Sequence, residues 1–375
     1  MRVLVSGWIG STNLGDELVF AGMRRLLGDH RVAAISVDPQ ATRADHGVAA
    51  IDHRKPSQVA AATRSADLVV FGGGGLVQDE TSPWNLPYHL SRPLLARLQG
   101  TPWVAIGIGV GRLGTALGRR LATTLRTAAA VTVRDEPSQR LLAELGVESR
   151  LSADVAFNLG RRTPRQPETD PEVEVEGPTD GSPGGHVVVS LRPWSGGTAS
   201  ASARWLPVGW RPGGDEPSWF VPTVAAALDR TSTRTGLEVR FVALQTDRDA
   251  ELHERVAAAM HTPAATVVPT RSSVLGELGS GEAVVAMRYH AGIGATLAGR
   301  PSVLVGYSPK VDALAAGLGA GAAHLAFDRE QLATIDDAVV AQLAAPDALG
   351  AVRTAADALL ARTEVDRQVL HELIG

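Results

Sequence analysis

The chain contains no cysteine. That absence excludes disulfide scaffolds, zinc–thiolate sites, iron–sulfur clusters and thiol nucleophiles together, leaving histidine and carboxylate as the ligands for any metal. Lysine is almost as scarce: Lys55 and Lys310 are the only two, so nearly all of the positive charge is arginine. No run approaches the ~20 apolar residues of a membrane span. The N-terminus, MRVLVSGWIGSTNLGDE, enters a strand and a Gly turn without the apolar stretch and cleavage site of a secretory signal. A cytoplasmic location is the expectation, with contact at the inner face of a membrane still open. A formal charge of −4 argues against broad nucleic-acid binding, which draws its affinity from basic side chains neutralising phosphates. Short-period repeats of the solenoid kind are also missing.

What is present is an ordinary globular composition. The 375 residues are 44% hydrophobic, enough for substantial cores and for about two domains. Continuous β-branched or apolar runs at Arg2–Ser6, Ala33–Val37, Leu68–Phe71, Trp103–Ile106 and Ala130–Val133 read as strands buried on both faces. Helical patterns separate them: Val19, Met23, Leu26 and Leu27 share one face, and Pro137–Leu145 starts behind two acids and stops at Gly146. Alternation of this kind predicts an α/β fold with a parallel sheet over residues 1–160. A Pro/Glu/Thr/Gly-rich linker, too polar to order itself, occupies 161–185. A second α/β set, HVVVSLR, LEVRFVAL, TVVP, EAVVAMR and SVLVG, fills 186–346, and 347–375 reads as helical, with Val352, Ala355, Ala356 and Leu359 on one stripe. The Gly/Pro-rich stretch Ser195–Ser218, with Trp194, Trp205 and Trp210 in or beside it and Trp219 just beyond, reads as a surface-anchored loop or one that covers a site and stacks on a sugar.

Ligands of open α/β sheets bind where strands end, so the segments after each run are the candidates. Gly7-Trp-Ile-Gly10-Ser-Thr-Asn13-Leu-Gly15-Asp16-Glu17 opens a helix, but Asp16 and Glu17 stand where a phosphate-binding loop needs Lys and Ser or Thr. Asn13 and Asp16 are equally suited to capping that helix. In Gly72-Gly73-Gly74-Gly75-Leu-Val-Gln78-Asp79, four glycines after a buried strand suggest close approach by a ligand or another backbone, and Gln78 and Asp79 can meet sugar hydroxyls or cap the next segment of chain. Gly109-Val-Gly111-Arg-Leu-Gly114, with Asp135 further on, is a literal dinucleotide fingerprint, at the fourth run instead of the first. Arg192, Arg288 and His290 lie at strand ends, a set suited to a carboxylate or phosphate, with a proton carrier beside it. The alternative is an ion pair from Arg288 to an acid of the other domain. Tyr307 and Lys310 reach the same end. Asp247 and Asp249 start an amphipathic helix, as acids commonly do, and no metal is assigned.

The ordered set resembles the polysaccharide pyruvyl transferase family, especially its bacterial branch that anchors surface-layer proteins to the cell wall. The resemblance runs from about Arg2 to Val311. It is carried by Asn13-x-Gly15-Asp16-Glu17, by GGGGLVQDETS at Gly72–Ser82, by Arg134-Asp135-x-x-Ser138 and Asp154-x-x-Phe157, by Met287-Arg288-Tyr289-His290, and by Tyr307-Ser308-Pro309-Lys310-Val311. Tyr289 and Ser308 stand where the family usually has Leu and Asp, and Gly107–Arg112 lacks its Gln and Pro.

The resemblance implies two facing Rossmann-like domains, similar to GT-B glycosyltransferases, with the active site between them. The N-terminal domain would be the acceptor side and the C-terminal one the donor side. It also implies phosphoenolpyruvate as donor substrate, no cofactor, and a lipid- or nucleotide-linked sugar acceptor of a cell-wall or surface polysaccharide, which gains a cyclic ketal as phosphate leaves. On that basis Arg192 and Arg288 would hold the donor, His290 would donate a hydrogen bond or proton, and Asp16 or Glu17 would activate a hydroxyl. Asn13, Gly15, Gly73, Gly74, Gly75, Gln78, Asp79, Tyr307 and Lys310 would line the substrates. Arg288→Ala is then expected to abolish transfer with the fold intact. Three rivals remain: a GT-B glycosyltransferase using a nucleotide sugar, an NAD-type oxidoreductase using Gly109, Gly111, Gly114 and Asp135, and a non-catalytic glycan-binding protein.

Overall fold

The computed structural model of the chain describes residues 1–80, 82, 84–161, 185–193, 216–246 and 248–374. Two parallel sheets organise it. In the first half β1 (Arg2–Ile9), β2 (Arg31–Ser36), β3 (Ala49–Asp52), β4 (Leu68–Val77), β5 (Trp103–Val110), β6 (Val131–Val133) and β7 (Arg150–Leu151) stand in the order β3-β2-β1-β4-β5-β6-β7. In the second half β8 (His186–Ser190), β9 (Glu238–Val242), β10 (Ala264–Val267), β11 (Ala283–Ala286), β12 (Ser302–Gly306) and β13 (Ala322–Ala326) stand in the order β10-β9-β8-β11-β12-β13. The central strands are almost wholly buried because helices cover both faces, which is why their sequences read as unbroken apolar runs. Each order reverses direction once, between β1 and β4 in the first sheet and between β8 and β11 in the second. Such a reversal opens a crevice at the carboxyl ends of the strands.

Three strands escape the apolar pattern: β3 is half-exposed, β7 has two residues, and β13 alternates weakly. The four-glycine run, expected as a turn, is strand. β4 continues through Gly72–Gly75 beside β5, and a Cβ at Gly73 (φ 73°) would stand 2.1 Å from Val19 Cγ1. Glycine there lets the helix Leu14–Leu27 lie directly on the sheet.

Residues of both halves share one apolar cluster, in which Leu14, Leu18, Val19 and Phe157 meet Val242, Leu244, Tyr289 and Ile293. Main-chain bonds join the halves as well: Leu14 N donates to Leu244 O at 2.8 Å and Thr246 N to Thr12 O at 3.2 Å. The helix Ala348–Arg362 adds Ala355 and Leu359 to the shared cluster. The helix Glu364–Ile374 returns to the first half, seating Val369 and Leu370 with Phe20 and Met23. There Asp366, fully buried, accepts from Thr132 Oγ1 and lies 2.7 Å from Ser152 Oγ. The expected linker core 162–184 and the tryptophans Trp194, Trp205 and Trp210 lie outside the described residues. Trp219 packs on Phe327 at a centroid distance of 5.7 Å. Among the described residues no helix is long and apolar enough to cross a membrane.

Candidate functional site

The segments that flank both sheet reversals face each other across the seam between the halves. From the first half come Asn13–Glu17, after β1, and Gly74–Gly75, in β4. From the second come Arg192, after β8, and Arg288–His290, after β11. Asn13 caps the helix Leu14–Leu27 by accepting from Gly15 N at 3.2 Å, while its Nδ2 donates to Asp16 Oδ2 at 2.6 Å. Gly15 abuts the His290 ring so closely that a Cβ would stand 2.2 Å from Nδ1. Asp16 lies beside Gly74. Burial, reinforced by Glu17, pushes the Asp16 carboxyl up to about 6 even though His290, Lys310 and Asn13 favour its ionised form.

Behind these groups lies a buried ionic centre. Arg134 Nη1 donates to Asp154 Oδ2 at 2.8 Å, and both side chains are almost completely inaccessible. His290 Nε2 is 3.7 Å from the same oxygen, beyond hydrogen-bond length, and has no hydrogen-bond partner among the described residues. Burial opposes ionisation of Asp154, yet His290, Arg134 and the Ala156 N–H outweigh it and hold the carboxyl well below its ordinary range. The Arg134 guanidinium also lies 4.4 Å from the centroid of the Tyr289 ring. Gly109 is glycine for this centre, since a Cβ there would come within 2.6 Å of Arg134 Nε.

The second half supplies positive charge. Arg192 Nη1 donates to Tyr307 Oη at 2.8 Å, with its guanidinium 4.5 Å from the ring centroid. Lys310 Nζ stands 5.8 Å from the Tyr307 ring and 5.9 Å from the Tyr289 ring, within cation–π range. Neither Arg192 nor Lys310 pairs with a carboxylate among the described residues. Arg288 does. Its Nε donates to Asp249 Oδ2 at 2.8 Å, its Nη2 to Asp249 Oδ1 and, at 3.1 Å, to Gln245 Oε1. Asp249 is fully buried and also accepts from Leu244 N and Gln245 N.

The site therefore gathers Asn13, Gly15, Asp16, Gly74, Gly75, Arg192, His290, Tyr307 and Lys310, and revises other expectations. Glu17 is not free to activate a hydroxyl: Oε1 accepts from Gly10 N and Ser11 N, and Oε2 meets His46 Nε2 at 2.9 Å and Arg271 Nε at 3.2 Å. Asp79 accepts from Gly114 N, Thr115 N and Thr115 Oγ1, so it holds the loop ahead of the helix Ala116–Ala122, which Thr115 itself caps, and not the segment after itself. Gln78 backs that loop, where a Cβ on Gly111 would stand 2.9 Å from its own Cβ. Gly73 serves helix packing. Arg288 pairs with an acid of its own domain, not one across the seam. The dinucleotide reading also fails locally: Gly109 accommodates Arg134 and Gly111 accommodates Gln78, while Asp135 caps the helix Glu136–Glu144 through Ser138 N. Among the described residues no three His, Asp or Glu gather to hold a metal ion, and Asp247 lies outside them.

A family model for polysaccharide pyruvyl transferases matches residues 13–309, a span that begins at the helix cap and ends beside Lys310. The chain belongs to this family. It is thus a transferase of polysaccharide pyruvylation. No protein of curated function matches it. Among solved structures it is similar to Anabaena HepE in complex with UDP-glucose, with 14% identity, TM-score 0.59, and 100% of this chain and 99% of that one covered. It is also similar to S. aureus MnaA with UDP, with 8% identity, TM-score 0.60, and coverage of 99% and 96%. The UDP-GlcNAc 2-epimerase of Neisseria meningitidis bound to UDP-GlcNAc gives 8%, 0.58, and coverage of 99% and 100%. At these identities the likeness concerns the two-domain GT-B-type fold alone.

Three residues of this pyruvyl transferase's centre, Arg134, Asp154 and Tyr289, were not among the site residues expected from sequence. Arg134 and Asp154 belong to the quoted motifs but look there like a strand end and a loop acid. Only the fold sets Asp154, at the head of the turn Val155–Gly160, against a histidine 136 positions later. Tyr289 marks a departure from the family pattern, and the structure gives that ring two cations.

Proposed function

We propose that the protein transfers the pyruvyl unit of phosphoenolpyruvate to two hydroxyls of a sugar, forming a cyclic ketal and releasing phosphate. The observation that carries this reading is the pair Arg192 and Lys310, cations without a carboxylate partner among the described residues, converging on Tyr307 opposite Asp16 and His290. Phosphoenolpyruvate presents a carboxylate and a phosphate, which such cations bind; Arg192 offers a planar fork and Lys310 a point charge.

In the reaction the enol methylene carbon gains a proton and the adjacent carbon bonds to an acceptor oxygen. That hydroxyl loses its proton, the carbon–oxygen bond to phosphate breaks with its electron pair leaving on phosphate, and the second hydroxyl oxygen bonds to the same carbon as its own proton passes to the departing phosphate, closing the ketal. His290, packed against Gly15 and 3.7 Å from Asp154, is placed to hand over the proton. Asp16, with its acidity weakened by burial, suits the role of base toward the sugar. The cations would stabilise the negative charge that builds on the departing phosphate.

The acceptor belongs on the first half, where Trp8 is exposed at the end of β1 and meets Tyr88 and His89 edge-on at 5.8 and 5.9 Å. An aromatic face of this kind suits the apolar side of a pyranose. A lipid- or nucleotide-linked cell-wall precursor, met at the inner membrane face, fits this arrangement. The test is calorimetric titration with phosphoenolpyruvate, run alongside UDP-glucose and NAD. Saturable binding of phosphoenolpyruvate that weakens at least tenfold in Arg192→Ala and in Lys310→Ala is expected. Binding of UDP-glucose or NAD in its place would overturn the proposal.

A further inference from the structure

The Tyr307 hydroxyl has an unusual hydrogen-bond situation. Its partner is Arg192, which has no acceptor atoms, so the phenol oxygen must accept, and among the described residues nothing accepts a proton from it. Arg192 and Lys310, for their part, meet no carboxylate among the described residues, and the phenol oxygen occupies the place that a counter-ion would take. We infer that Tyr307 is the resident counter-ion of the donor site, a phenolate that takes up a proton when an anionic donor binds and then hydrogen-bonds to it. This rests on phosphoenolpyruvate being the donor.

The balance is simple. Solvent supplies one proton to the phenolate oxygen, the donor's charge takes over Arg192 and Lys310, and the new O–H points at a donor oxygen; no other bond changes. The charged groups around the ring come from six elements. Arg192 follows β8. Arg288 follows β11 and is already neutralised by Asp249, at the start of the helix Asp249–Ala259. Lys310 heads the helix Pro309–Leu318, His290 and the Tyr289 ring head the helix Tyr289–Leu297, and Asp16 faces Lys310 from across the seam. Burial pushes the Tyr307 phenol up, but Lys310, Arg192 and Arg288 outweigh it and bring it down to about 7. A phosphate ester completes its second ionisation near pH ~6. Above about 7, then, Tyr307 is the group whose protonation sets donor affinity, and one linked proton weakens binding about tenfold per pH unit.

The chain has three tyrosines, and burial raises the other two, Tyr88 and Tyr289, so a phenolate signal near neutrality is assignable. The experiment is an ultraviolet phenolate titration of the full-length protein, paired with calorimetry of phosphoenolpyruvate binding in buffers of different ionisation enthalpy. Sulfate, whose charge is constant over this range, serves as a second probe. Wild type should lose one phenolic proton around neutrality. Tyr307→Phe should lack that step, and Lys310→Met should move it to alkaline pH. Above neutrality phosphoenolpyruvate and sulfate should each take up about one proton per bound anion in wild type and none in Tyr307→Phe. Persistence of the neutral step in Tyr307→Phe, or donor binding without proton uptake, would overturn the inference and leave the donor assignment standing. A neutral Tyr307 step with sulfate-linked uptake but no binding of phosphoenolpyruvate would support the counter-ion role and remove the donor assignment instead.

Discussion

Replacing Arg288 by alanine should destabilise the protein, so that stability has to be measured before catalysis is read. Its guanidinium makes two bonds to Asp249 and one to Gln245, and Asp249 is wholly buried. Removing one partner of such a pair leaves an uncompensated buried charge, at a cost of about 3–5 kcal/mol. Leu244 N and Gln245 N still donate to Asp249 after the change, which places the loss toward the lower figure. At roughly 1.3 °C per kcal/mol for a chain of this size, a loss of about 3 kcal/mol lowers Tm by about 4 °C. Scanning calorimetry of Arg288→Ala, Asp249→Asn and the double variant measures this directly. The double variant should recover most of the stability, because neither buried charge remains. If Arg288→Ala alone melts within about 1 °C of wild type, the pair contributes little, and Arg288 would be available to a ligand as the sequence suggested.

Asp366 gives a pH signature. Burial raises its carboxyl to about 7 even though Thr132 and Ser152 hydrogen-bond to it, and a free aspartate ionises near ~3.9. Its contribution to stability is therefore fully present below about pH 4 and is lost as pH rises through about 7, a total of roughly 4 kcal/mol. The stability of Asp366→Asn relative to wild type should rise across that window in pH-resolved denaturant melts; a difference constant with pH would refute the assignment. Gly15→Ala drives a methyl into the His290 ring. It should reduce pyruvyl transfer at least a hundredfold, while Gly350→Ala, in the helix Ala348–Arg362 where a Cβ meets nothing within 4 Å and the backbone is helical, leaves transfer unchanged. Equal activity in the two variants would mean that His290 need not hold its position.

The buried strands were readable because helices on both faces demand unbroken apolar runs, and Val3–Val5 or Ala283–Ala286 admit no other explanation. β3 and β7 carry no such demand and left no mark. The glycines misled in a consistent way. Gly73 and Gly109 are required by the approach of Val19 and Arg134, so the run signalled a close neighbour correctly while the neighbour proved to be protein. Charge was harder still. Sequence marks Arg192 and Arg288 as a matched pair of donor clamps and Lys310 only as a lining residue, but only the fold reveals that Asp249 reaches back to neutralise Arg288, while Arg192 and Lys310 meet no carboxylate among the described residues. For the same reason Asp79 and Glu17, acids in functional-looking motifs, hold loops together.

The bonds from Leu14 N to Leu244 O and from Thr246 N to Thr12 O are indifferent to side-chain identity. The spacing of the seam is thus written in backbone, which mutation at these positions leaves largely untouched, and the chemistry on either side can drift without reopening the gap. Tyr289, a larger ring where the family usually carries leucine, is such a drift. It enters an interface whose dimensions were already set, and brings Arg134 and Lys310 to share one aromatic surface. A scaffold of this type can change the groups that line its seam while the spacing between its halves stays fixed.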